Sequence, residues 1–91
     1  MEKTAHDPSE KDKETLLSFR YLLGEMGIQM LVAIYRGANT KTAIQLLSGV
    51  PMSCVIGRLP VLLNLNLVYQ TQEEYHVTEK GIQFLKVTDQ D

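Results

Sequence analysis

Two turn signals, Gly37-Ala38-Asn39-Thr40 and Ser48-Gly49-Val50-Pro51, enclose a short segment, Lys41 to Leu47, whose Ala43, Ile44 and Leu47 share one helical face. Thr40 is placed to cap this helix, and Ser48 with Gly49 to end it. Beyond Pro51 a longer helix is predicted from about Met52 to Asn64, with Val55, Leu59 and Leu62 at i, i+4 and i+7 as its buried stripe. Two helices separated by so short a glycine-containing turn must cross steeply, and few architectures accept that arrangement.

The flanking segments complete the layout. Residues 1–9 are polar with one proline and no apolar period, and are expected to form a flexible tail. Leu16, Phe19, Tyr21, Leu22 and Leu23 then recur at mixed three- and four-residue spacings, which predicts an amphipathic helix from about Glu10 to Glu25. Gly24 and Gly27 are expected to stop it. The nearly uniform apolar run from Ile28 to Arg36 reads as a separate helix buried on several sides. After Asn66, a candidate left-handed residue, Leu67 to Thr71 and Tyr75 to Thr78 read as two strands of a hairpin, joined by Gln72, Glu73 and Glu74. Thr78 caps a final helix, Glu79 to about Val87. The predicted class is α+β and mostly helical, a single domain over residues 10–88.

Of the 91 residues, 44% are hydrophobic and 22% charged, ordinary shares for a folded domain of one core. The single cysteine, Cys54, excludes an internal disulfide framework, and no secretion signal is seen, so a reducing cytoplasm is the expected compartment. Val50 to Val68 is interrupted by Ser53, Arg58, Pro60, Asn64 and Asn66, and no membrane span is expected. His6 and His76 with one cysteine make no metal-ligand set. There is no glycine-rich phosphate loop and no nucleophile with a paired base, so neither an enzyme nor a cofactor is expected.

The net charge of −2 conceals an uneven distribution. Residues 26–72 hold Arg36, Lys41 and Arg58 and no Asp or Glu, whereas both ends are acidic. A local positive patch, rather than the overall balance, is the electrostatic footprint of a nucleic-acid binder.

The ordered segments Gly37-Ala38-Asn39-Thr40-Lys41-Thr42, Arg58-Leu59 with Leu62, Asn66-Leu67-Val68, and Tyr75-His76-Val77-Thr78-Glu79-Lys80-Gly81 resemble the winged helix-turn-helix transcription regulators. The likeness is to small archaeal winged-helix DNA-binding proteins and, more loosely, to regulators of the multiple-antibiotic-resistance type. It covers about Ile28 to Leu85. It implies a three-helix core with a β-hairpin wing, here with an extra N-terminal helix, and binding of double-stranded DNA as a homodimer. Leu16, Phe19 and Leu23 of the added helix are then the expected dimerisation residues.

The expected DNA-binding residues are Arg36, Lys41, Thr42, Ser53, Gly57 and Arg58. Ser53 and Thr42 would reach phosphates, and Arg58 is the one strong bidentate donor in the second helix of the motif. Three features depart from the family pattern. Pro60 falls inside that helix, where it removes the hydrogen bond to Ile56 and costs about 3 kcal/mol unless the helix kinks, so a kink is expected. The solvent side of that helix carries Ser53, Gly57, Pro60 and Asn64, which offers little base-specific readout. The wing tip holds two carboxylates and no cation, unsuited to a phosphate backbone. The alternative is therefore a winged-helix module that docks on a protein, with Ile56 and Val61 as outward apolar residues. Tyr21, Tyr35 and Tyr75 are expected at the core edge, and Tyr69 beside the wing.

Overall fold

The computed structural model describes residues 10–88, so the predicted tail over residues 1–9 lies outside the described residues. Four helices and one antiparallel hairpin follow in the order α1 (Glu10–Tyr35), α2 (Lys41–Ser48), α3 (Met52–Asn64), β1 (Val68–Thr71), β2 (Glu74–Val77) and α4 (Glu79–Val87). This is an α+β, mostly helical winged-helix-like layout.

α1 is the organising element, because α2, α3 and α4 all pack on it. It consists of two helical arms that meet at Gly24, where the backbone takes φ +70° and ψ 176°. That conformation is essentially restricted to glycine, and it bends the chain without separating the arms. The predicted stop thus occurs at Gly24 alone. Gly27 is buried inside the second arm, where a Cβ would stand 3.0 Å from that of Leu23, so it serves close packing and not termination. α1 is also long enough, and apolar enough over an 18-residue stretch of mean hydropathy 1.2, to pass as a membrane span. Part of that stretch goes into the core, where Leu23, Met30 and Leu31 are fully buried.

The core gathers these residues with Ile44 of α2, Val55, Leu59 and Leu62 of α3, Leu67 and Val68 at the wing's entry, Tyr75 of β2, and Phe84 and Leu85 of α4. The predicted stripe of α3 is its buried face. α3 continues through Pro60 as one helix, so the proline does not end it. Pro60 and Ile56 both lie on the exposed side of α3, where water can replace a lost helical hydrogen bond at smaller cost than in the core.

The caps are local chemistry. Thr40 Oγ1 accepts from the Ala43 N–H at 3.1 Å, and Thr78 Oγ1 accepts from the Gly81 N–H at 3.0 Å. Gly49 ends α2 in the left-handed conformation, φ +77°. Asn66 is left-handed as well, φ +61°, and turns the chain into β1. The strands pair Val68 with Val77, Tyr69 with His76, Gln70 with Tyr75 and Thr71 with Glu74. The connection is tighter than predicted, because Glu74 belongs to β2 and left-handed Gln72, φ +54°, makes the turn with Glu73.

Candidate nucleic-acid interface

α2 and α3 bend by 110° across the turn Gly49-Val50-Pro51. Helix-turn-helix units cross at about 90–120° over turns of this length. Ser48 holds the corner: its hydroxyl donates to the Ile44 carbonyl at 2.5 Å and accepts from the Val50 N–H at 3.1 Å. The corner residue that follows, Val50, is buried, so the crossing is locked by packing as well as by hydrogen bonds.

The solvent side of α3 presents Ser53, Gly57, Pro60 and Asn64 at i, i+4, i+7 and i+11, all exposed. Ile56 adjoins this line, three residues after Ser53 and four before Pro60, and is 54% exposed. No charged side chain lies on it. Arg58 is exposed but occupies the opposite flank, between the buried Val55 and Leu62 positions and the half-buried Cys54 and Val61. Its Nη2 sits 4.0 Å from where a Cβ on Gly24 would stand, so the guanidinium leans toward the bend in α1.

The other expected contacts sit at the ends of helices. Lys41 and Thr42 open α2 and are exposed, and Arg36 is exposed where α1 ends. Lys41 and Thr42 share a cleft of about 350 Å³ with Thr40, Gln70, Glu73 and Tyr75, which places Glu73 of the wing beside the start of α2. Thus Lys41, Thr42, Ser53 and Gly57 lie on the helix-turn-helix unit, whereas Arg58 is directed away from the outward line of α3.

The wing is built for cohesion. Tyr75 is buried under it, and its N–H donates to the Asn39 carbonyl at 2.9 Å, tying β2 to the turn before α2. On its outer side the Tyr69 and His76 rings lie 5.2 Å apart, and His76 Nε2 is 3.6 Å from Glu74 Oε1. Gln72, Glu73 and Glu74 are exposed at the tip, where the carboxylates repel a phosphate backbone.

Leu16, Phe19 and Leu23 do not form an outward dimerisation surface. All three are buried in the chain's own core, with the Phe19 ring 6.4 Å from that of Phe84 and under Lys80 Nζ at 5.1 Å. The apolar period of α1 is satisfied by α4 within one chain. The apolar residues left outside are Leu17, Leu22, Met26 and Tyr21, which is 90% exposed and so departs from its expected place at the core edge. Tyr35 is exposed too, while Tyr69 and Tyr75 lie where expected. Among the described residues no three His, Cys, Asp or Glu side chains converge as metal ligands.

No protein-family model matches the chain, and no curated protein matches it significantly.

Proposed function

We propose that the protein is a DNA-binding transcriptional regulator that acts as a homodimer, laying α3 in the major groove of duplex DNA. The 110° crossing of α2 and α3 over a three-residue turn, with the outward side of α3 left uncovered, carries this reading. The absence of any acid between residues 26 and 72 supports it. Lys41 and Arg36 bind phosphates through charge, and Thr42 and Ser53 through their hydroxyls. Gly57 lets the helix backbone approach the groove closely, since nothing lies within 4 Å of a Cβ there. Arg58 reaches a phosphate at the flank rather than a guanine. Two copies double a positive charge that is modest in one. In this role the protein performs no catalysis, and it works in the cytoplasm, where Cys54 stays reduced.

Fluorescence anisotropy with labelled duplex over a salt series tests the proposal. Affinity should fall steeply with salt, and Lys41→Ala should weaken binding to all sequences while reducing the salt slope by about one. Binding that ignores both salt and Lys41→Ala overturns it.

A second reading, a winged-helix module that docks on a protein, is favoured by one separate observation. The outward line of α3 is uncharged and bordered by exposed Ile56, and the wing tip of the same chain is acidic. A folded protein that fails to bind duplex DNA even at low salt selects this reading.

A further inference from the structure

A helix in the major groove distinguishes bases by what its outward side chains offer the base edges. On α3 those positions are Ser53, Gly57, Pro60 and Asn64, with Ile56 beside them. Gly57 and Pro60 have no polar side-chain atom. A serine hydroxyl both donates and accepts, so Ser53, assigned above to a phosphate, would select no base pair even at a base edge. Asn64 can read adenine, but it is the last residue of α3, whereas such helices meet base edges with their N-terminal residues. Arg58, the strong donor, leans toward Gly24 on the other flank.

Ile56 remains. It lies one turn into α3, is 54% exposed, and stands next to Gly57, which lacks the Cβ that would hold the helix off the groove floor. Only one chemical group in the major groove rewards an aliphatic side chain, the C5-methyl of thymine. Resting on the DNA-binding reading above, we infer that Ile56 is the sequence-discriminating contact of α3. The site it recognises is an A·T-containing duplex read through thymine methyl groups, with little hydrogen-bonded base selection elsewhere.

Duplexes in which deoxyuridine replaces thymidine remove that methyl and leave every Watson–Crick and phosphate group in place. Anisotropy titrations at one ionic strength compare wild type and Ile56→Ala on an A·T-rich duplex and on its deoxyuridine counterpart. Wild type should bind the deoxyuridine duplex about fourfold more weakly for each methyl contacted. Ile56→Ala, an exposed substitution, should keep its fold by circular dichroism, bind the thymidine duplex more weakly, and no longer distinguish the two. Equal affinity of wild type for both duplexes overturns the inference and leaves the DNA-binding reading standing. So does an equal loss in wild type and Ile56→Ala, which reports altered DNA shape and not contact. Failure of wild type to bind either duplex overturns both.

Discussion

Thr78 Oγ1 donates to the carbonyl of Asn66 at 2.6 Å while accepting from the Gly81 N–H, so one hydroxyl joins the residue that enters the wing to the helix that leaves it. The Thr78 N–H adds a bond to the Leu67 carbonyl at 3.0 Å. The hairpin is thereby clamped at its base, and the position of the wing relative to α3 depends on this residue.

Thr78→Val keeps the volume and removes the hydroxyl. The cap and the tether to Asn66 are lost together, and urea unfolding should show a destabilisation of about 1–2 kcal/mol. An unchanged midpoint would mean that water replaces both bonds without cost.

Two glycines should respond to alanine in opposite directions. A Cβ on Gly81 would overlap the Leu67 carbonyl oxygen and lie 2.7 Å from Val77 Cγ2, and backbone cannot yield as a side chain can. Gly81→Ala should cost about 3 kcal/mol, at the upper end for overpacking. Gly57 is helical and its Cβ would meet open space, so Gly57→Ala should raise stability by about 0.5–1 kcal/mol. Thermal unfolding of the pair checks both signs.

Gly24→Ala tests the bend in α1. A φ of +70° with ψ of 176° costs an L-residue about 1–3 kcal/mol. Because the bend also faces Arg58, the loss should appear both in the thermal midpoint and in the packing of α3 on α1, seen as faster amide exchange in α3.

Substitutions on the two sides of α1 separate folding from association. Phe19→Ala should destabilise the single chain by about 3–5 kcal/mol, since it empties the contact with Phe84. Tyr21→Glu should leave the unfolding midpoint within about 0.5 kcal/mol, as expected for an exposed residue, and shift sedimentation toward the monomer. A dimer that survives Tyr21→Glu would place the homodimer contact away from the exposed Leu17, Tyr21, Leu22 and Met26 of α1.

Local signals made much of the fold readable. Thr40, Gly49, Asn66 and the Thr78 cap on Gly81 act through bonds and torsions within a few residues of themselves, and each does in the structure what its chemistry predicts. The stripe Val55, Leu59 and Leu62 likewise needs only the helical period. Readings that depended on a partner distant in sequence fared differently. Leu16, Phe19 and Leu23 look the same in sequence whether they meet a second copy or their own chain, and only the folded chain shows that all three are buried and that Phe84 receives Phe19.

The sequence by itself determined where α2, α3 and α4 begin and end, because caps, left-handed residues and apolar periods act over one or two turns. It also determined that residues 26–72 carry no acid. Tertiary structure alone decided which side of α1 is spent on the core, that Arg58 leans toward Gly24, and that Gly81 must lack a Cβ beneath the Leu67 carbonyl. Those are contacts between residues far apart along the chain, and a local pattern states that a face is apolar without naming what will cover it.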